Sequence, residues 1–370
     1  MPSELRKDPL SQRWVIIAAE RAKRLGDFEL DAAGDPPTFD PFMPGNEDKT
    51  PPEITAFRKP GTAPNTPGWR VRVMPNKFPV LGIEGSVNSR GDGIYDKMTG
   101  IGAHEVIVDT PRSVRSISAL TDENVQDMIW MYRDRLIDLR RDGRLKYGMV
   151  FKNVGASAGA TVHHSHSQLI VTTIVPRSVV QKLDSCQDFY EYRGRCLVCD
   201  MVAQELEQAK RIVIDSEHFI AFEPYAPRMP FETWIVPKHH ESHFEELKQH
   251  PCEDLAFVLR RTVALLEKGL GPIAYNYIFF TSPFDSGPLP HFHWHIEIIP
   301  RMTKQAGFEW GTGFYINPVP PEDAAEYLRG LRLNDTSAPD GAGAPIAPAP
   351  ASSAPGGVNA RDVKSKTVEK

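Results

Sequence analysis

Val162–Pro176 reads VHHSHSQLIVTTIVP, and His291–Arg301 reads HFHWHIEIIPR. Each carries an H-x-H pair and runs on into apolar residues with the two-residue alternation of a β-strand. The segments before them follow the same order. In the first half, His104–Leu120 is strand-like, Thr121–Gly143 has apolar residues at helical spacing, and YGMVFKN (Tyr147–Asn153) is a strand. In the second half, Phe231–Leu247 reads as strand then turn, Cys252–Leu270 as helix, and YNYIFFTSP (Tyr275–Pro283) as strand. His164 and His166 correspond to His293 and His295 at a shift of 129, and Glu105 corresponds to Glu232 at a shift of 127. A near-constant offset over four elements implies a duplicated α+β unit.

Outside the repeat, Asn334–Lys370 is dominated by Ala, Pro, Gly and Ser and reads as a disordered tail. Gly26–Pro67, rich in Pro, Gly and Asp, reads as loop. This divides the chain into 1–180, 181–333 and 334–370. Hydrophobic content of 41% and charged content of 25% fit a globular protein. A net charge of −5 without clustered Lys and Arg argues against nucleic acid. No apolar run approaches the roughly 20 residues of a membrane span. Met1–Arg13 lacks the pattern of a secretory signal, so a cytoplasmic location is expected.

The chemistry concentrates in NVGASAGATVHHSHSQ, Asn153–Gln168. On a strand, residues two apart share a face, which groups His164, His166 and Gln168. Two imidazoles and an amide make a poor core face, because each buried polar group needs a partner. Gly155 and Gly159 just before them permit the close backbone approach of an anion-binding loop. A nucleophile or base beside a phosphate cradle follows, in preference to a histidine-rich edge strand. Of the four cysteines, Cys196 and Cys199 form RCLVCD, which reads as half of a metal site, while Cys186 and Cys252 read as ordinary thiols.

HSHSQ resembles the H-x-H-x-Q motif of the galactose-1-phosphate uridylyltransferase branch of the histidine-triad superfamily. RAKR (Arg21–Arg24), RVMPNKFPVL (Arg72–Leu81) and GAHEVIV (Gly102–Val108) resemble further family segments. The resemblance runs to about Pro320. It implies tandem histidine-triad-like halves, each an antiparallel sheet with a packed helix. It also implies a nucleotidyltransferase working through a covalent intermediate on His166. His164 would orient His166, and Gln168 would bond a non-bridging phosphate oxygen. Arg21, Arg24, Asn153 and Thr161 would bind phosphate, Asn76 would lie near the nucleoside, and Phe308 to Tyr315 would contact the sugar.

The implied reaction passes a nucleoside monophosphate from a nucleotide sugar to a sugar 1-phosphate, with UDP-glucose:galactose-1-phosphate uridylyl transfer as the leading expectation. Ser165 and Ser167 stand where the family has Pro and Gly. HSHSQ and GFEWGTGFYIN (Gly307–Asn317) are similar to the branch containing ADP-glucose phosphorylase, which makes adenylyl transfer the alternative. A hydrolase of nucleotide conjugates is disfavoured by Gln168, and a non-catalytic nucleotide-binding module by an intact His166. A homodimer is implied as well.

The family's ligand order, CxxC, a His after the strand, then the first His of H-x-H, selects Cys196, Cys199, His240 and His293 for one structural zinc ion per chain, with His239 as the fallback for His240. In the first half the family's CPFCPGN is DPFMPGN (Asp40–Asn46), and His240 maps to Ser113. Three of four ligands are therefore missing there, and no zinc is expected. His164 would be oriented by hydrogen bonds alone, or by Asp40 if that loop reaches it. Gln168 maps to Glu297, whose carboxylate would repel a phosphate, so the second half is expected to be structural.

Overall fold

The computed structural model describes residues 2–21 and 38–333. In chain order its strands are β1 (Glu4–Lys7), β2 (Trp14–Ile17), β3 (Thr55–Arg58), β4 (Trp69–Pro75), β5 (Arg90–Asp92), β6 (Tyr95–Lys97), β7 (Gly102–Val108), β8 (Tyr147–Val154), β9 (His166–Thr172), β10 (Ile212–Asp215), β11 (Phe219–Phe222), β12 (Thr233–Pro237), β13 (Tyr275–Phe280), β14 (His295–Pro300) and β15 (Tyr315–Asn317). The helices are α1 (Asp122–Leu139), α2 (Arg177–Arg193), α3 (Leu197–Gln208), α4 (Gln249–Leu270), α5 (Gly307–Thr312) and α6 (Pro321–Gly330). No helix among the described residues is long and apolar enough to cross a membrane.

Ten strands form one sheet in the order β10-β11-β12-β14-β13-β8-β9-β7-β4-β3. Every neighbouring pair in it is antiparallel. Read outward from the centre, β13-β14-β12-β11-β10 answers β8-β9-β7-β4-β3. The seam is itself symmetric. Phe151 lies opposite Gln168 and Ile278 opposite Glu297, and Phe151 and Ile278 pair with each other where the halves join. The duplicated unit is therefore joined edge to edge through equivalent strands, which leaves neither β8 nor β13 as an open edge.

One face of the sheet is covered by α1 and α4. Thr121 caps α1 by accepting the Asn124 N–H, and Val125, Met128, Ile129, Tyr132 and Leu136 recur at the spacing of one helical face. Leu255, Leu259, Val263 and Leu266 do the same on α4, and both helices share one core with Leu169, Val171, Ile296 and Ile298 of the sheet. Each such side chain contributes roughly 1.5–3 kcal/mol on burial. The alternation that turns Leu169 and Val171 inward turns His166 and Gln168 to the opposite face. In the second half that opposite face is covered too. Cys186 of α2 and Leu197, Val198 and Val202 of α3 pack with Trp234 and Val236 of β12.

The structure corrects four sequence readings. Val106 pairs with Gln168 and Trp234 with Glu297, so β7 and β12 correspond at a shift of 128. His104, not Glu105, is thus the counterpart of Glu232. Gly26–Pro67 is not all loop, because Thr55–Arg58 forms the edge strand β3. The strand-like reading of His104–Leu120 holds only to Val108. Strand β9 begins at His166, and His164 lies in the bend before it. The division at 180/181 falls inside α2, and the tail from 334 lies outside the described residues.

Candidate functional site

His166 opens β9 and is 8% exposed. Its Nδ1–H donates to the carbonyl of His164 at 2.8 Å, which leaves Nε2 with the lone pair. Burial, reinforced by the Lys152 charge, holds its pKa below the usual histidine value. The ring is therefore neutral, with Nε2 free of any hydrogen-bond partner among the described residues. Phe42 sets its edge against His166 at 5.3 Å and against His164 at 6.0 Å, walling this side of the site.

His164 is fixed from both sides. Its Nε2 bonds the Thr110 carbonyl and its Nδ1 meets Asp40 Oδ2, each at 2.7 Å. Ser113 Oγ donates to the same Asp40 oxygen at 2.8 Å. Asp40 is presented by a turn in which its other oxygen accepts the Phe42 N–H. Burial works against the Asp40 charge, but hydrogen bonds from Phe42 and His164 outweigh it and lower its pKa. The DPFMPGN loop does reach His164, and two of the three absent-ligand positions, Asp40 and Ser113, form a hydrogen-bonded cluster with His164 instead.

Beneath β9, facing α1, lies a polar network the sequence reading missed. Lys152 and Asp109, both fully buried, form an ion pair. Lys152 Nζ also donates to Ser165 Oγ and to the His166 carbonyl, each at 2.9 Å. Ser165 and Ser167 donate to Asp109 at 2.9 and 3.1 Å, and Ser167 meets the hydroxyl of Tyr132, itself 2.8 Å from that of Tyr277. The two serines of HSHSQ thus tie the strand of His166 to a buried charge pair. A lysine in the alternating run YGMVFKN was the available signal.

The glycine loop behaves differently from expectation. Gly155 and Gly159 have φ of +86° and +88°, so glycine is required at both. Yet the N–H groups of Ala158, Gly159 and Ala160 close on Gly155 and Ala156 carbonyls, so they are not offered to an anion. Asn153 Oδ1 instead accepts from Asn276 of β13, which also bonds the Ala158 carbonyl, so the second half braces this loop. Thr161 is exposed after it. Asn76 follows β4 and lies 3.1 Å from His104 Nε2, which is 2.8 Å from Gln168 Oε1. Arg21 is exposed at the end of a short 3₁₀ turn, and Arg24 lies outside the described residues. Phe308 and Tyr315 belong to α5 and to β15, which pairs with β2 in a separate sheet. Among the described residues, no hydrogen bond or ring contact joins them to His166 or Gln168.

The second half repeats the backbone device and changes its surroundings. His295 Nδ1 bonds the His293 carbonyl at 3.2 Å. Its ring is stacked between Trp234 and Phe280, and its Nε2 is 2.9 Å from Lys182 Nζ. Burial and the Lys182 charge hold its pKa down to about 4. Lys182 and Arg228 both pair with Glu297, and Arg228 also holds Glu232. The nitrogen equivalent to the free one of His166 is therefore occupied and sealed.

Cys196, Cys199, His240 and His293 converge so that one ligand atom of each lies within 4.8 Å of the others. Cys196 caps α3, His240 follows β12 and His293 precedes β14, so a metal here would pin three elements. Cys199 Sγ is 3.4 and 3.5 Å from the Nδ1 atoms of His240 and His293. A hydrogen bond from Cys199 pulls the Cys196 thiol well below its ordinary range. Two sulfurs and two imidazole nitrogens converging in this way fit a tetrahedral metal.

Comparison with known proteins follows the same two-part layout. Residues 2–176 match the family described as galactose-1-phosphate uridyl transferase, N-terminal domain, and residues 182–327 match its C-terminal domain. An ADP-glucose phosphorylase of Arabidopsis thaliana is 38% identical over 338 residues, spanning 89% of this chain and 93% of its own. A galactose-1-phosphate uridylyltransferase of Thermotoga maritima is 28% identical over 346 residues, spanning 88% and 98%. The crystal structure of an ADP-glucose phosphorylase from Arabidopsis thaliana with bound ADP-glucose superposes with a TM-score of 0.75 at 35% identity, covering 90% of this chain and all of that one.

Proposed function

The chain belongs to the galactose-1-phosphate uridyl transferase family, and from that premise we propose that it moves a nucleoside monophosphate between a nucleotide sugar and a phosphate through a covalent intermediate on His166. The observation carrying this is the neutral His166 ring, its Nδ1–H held by the His164 carbonyl and its Nε2 free. In the first step Nε2 attacks the α-phosphorus, a P–N bond forms, and the P–O bond to the sugar 1-phosphate breaks. The ring gains positive charge, and the Nδ1–H bond to the His164 carbonyl strengthens as it does. In the second step an acceptor phosphate oxygen attacks the same phosphorus and the P–N bond returns its electrons to Nε2. Splitting one displacement in two gives ping-pong kinetics.

The Gln168 amide NH₂ would donate to a non-bridging oxygen, with Asn153, Thr161 and Arg21 as further phosphate contacts, Gly155 and Gly159 shaping the loop, and Asn76 on the nucleoside side. Phe308 and Tyr315 would serve the sugar. Cys196, Cys199, His240 and His293 would hold one zinc ion, whose contribution is to the fold of the second half. A homodimer belongs to the same reading.

Adenylyl transfer from ADP-glucose to phosphate is the preferred assignment. The 38% identity to an ADP-glucose phosphorylase and the likeness of HSHSQ to that branch support it. Uridylyl transfer to galactose 1-phosphate is the second reading, supported by the near full-length likeness to the Thermotoga maritima protein. Supplying ADP-glucose with phosphate, and UDP-glucose with galactose 1-phosphate, decides between them. ADP and glucose 1-phosphate should form at least about tenfold faster than UDP-galactose, and the opposite ratio selects the second reading.

A further inference from the structure

Gln168 can present either end of its amide to a bound phosphate, and only one end donates. What selects that end is His104. This residue lies on β7, 8% exposed, on the same sheet face as Gln168 and diagonal to it, since Val106 is opposite Gln168 and His104 opposite Ile170. Its Nδ1 receives the backbone N–H of Val80 at 3.3 Å. A backbone N–H cannot be reversed, so Nδ1 is the acceptor and the hydrogen of the neutral ring sits on Nε2. That Nε2 is 2.8 Å from Gln168 Oε1. A donor at this point fixes the carbonyl end of the amide towards His104 and leaves both hydrogens of the NH₂ end unused among the described residues. The reverse orientation would set two donors against each other at His104 and an amide oxygen against an anionic phosphate.

Two features of the molecule agree. Asn76 Nδ2 lies 3.1 Å from the same ring nitrogen as a second donor, because its Oδ1 is taken by the Phe78 N–H, so of the two amide groups at Nε2 only Gln168 Oε1 accepts the ring hydrogen. The Asn76–Val80 turn that sets the ring's tautomer is thus the turn expected on the nucleoside side. In the second half, where the glutamine is Glu297, the position of His104 is Glu232, and Arg228 bridges the two carboxylates. The donor–acceptor pair exists only where the free histidine nitrogen does.

We infer that His104 is a positioning residue that orients the Gln168 amide for the nucleotidyl group, with its tautomer imposed by the Asn76–Val80 turn. This rests on the nucleotidyl-transfer reading above. The test is a double-mutant cycle on single-turnover labelling of His166 with α-labelled ADP-glucose. His104→Phe keeps the ring shape and removes the donor. It should slow labelling by about 10–100-fold, as loss of an orienting partner does, with the affinity for ADP-glucose changed less than about threefold. His104→Gln, which retains a donor, should recover most of the rate. In a Gln168→Ala background, His104→Phe should cost no more than about twofold, because the group it orients is gone. An equal cost in both backgrounds overturns the inference. Nitrogen NMR of the histidine-labelled wild-type protein gives a second decision that needs no variant to fold. Protonated Nε2 and bare Nδ1 on His104 are expected, and the opposite tautomer overturns the assignment. Absence of label in the wild-type protein removes the nucleotidyl-transfer reading itself, and the tautomer then still decides the His104 contact.

Discussion

His166 and His295 begin equivalent strands, and both rings hang from the carbonyl two residues back, yet one nitrogen is left open and the other is shut away. The backbone device is the same, so the difference lies in what covers it. Over His295, α2 and α3 close the face, and Lys182 sits 2.9 Å from the nitrogen that would otherwise react. Over His166 there is the edge of Phe42, and beside it a neutral glutamine instead of Glu297. The metal-type corner runs the opposite way. Four soft or borderline ligands converge in the second half, while Asp40, Ser113 and His164 hold one another by hydrogen bonds in the first. One half thus leaves its histidine nitrogen open, and the other brings two Cys and two His side chains together.

The largest expected effect separates the two corners. Cys196→Ser should abolish the zinc binding proposed for the second half and lower stability more than any other single change named here, since structural zinc sites bind with on the order of 10 kcal/mol. Asp40→Ala in the first half should cost about 1 kcal/mol per lost hydrogen bond and leave zinc at one per chain. Metal analysis and thermal unfolding of both variants check this. Two zinc ions per chain in the wild type would break the comparison.

Next in size are the buried lysines. Lys152→Met leaves Asp109 charged and unpaired in a site with no exposure, and should destabilise by about 3–5 kcal/mol. Lys182→Met should cost less, because Arg228 still holds Glu297. Denaturant midpoints give the order, and the reverse order would mean that the sealed site depends on its lysine more than the open site does.

A smaller effect concerns pH. The pKa of folded His166 lies below that of the unfolded chain, so on acidification the unfolded state takes up its proton first. Its contribution to stability is full above the ordinary histidine value and is lost as pH falls below that value towards the depressed one. The folded ring resists protonation over that interval, so the acid midpoint of the single-turnover labelling rate should lie below pH 6.5. A midpoint at or above 6.5 would show that the site does not hold the ring neutral.

Much of this plan is visible in the chain alone, because period and order carry it. The alternation in Val162–Pro176 and His291–Arg301, the helical spacing of α1 and α4, and the CxxC with its two distant histidines are local patterns that the fold preserves. Asp40 at a ligand position also pointed to the contact with His164. What stayed hidden depends on pairing. Helix α2 buries Val179, Lys182, Ser185 and Cys186, a stripe too polar to read as a core face. Lys152 looks like a strand's solvent residue until Asp109 is placed beneath it. The role of His104 depends on register, and reading Glu105 against Glu232 misplaced that register by one residue, which in a strand exchanges the two faces.

The claim that only one of two equivalent histidines reacts is tested most directly by incubating the protein with α-labelled ADP-glucose and α-labelled UDP-glucose without acceptor and mapping the label by peptide mass spectrometry. The account predicts one acid-labile, base-stable nucleotidyl group per chain on His166, absent in His166→Gly and retained in His295→Ala. Label on His295, or label that persists in His166→Gly, would contradict it.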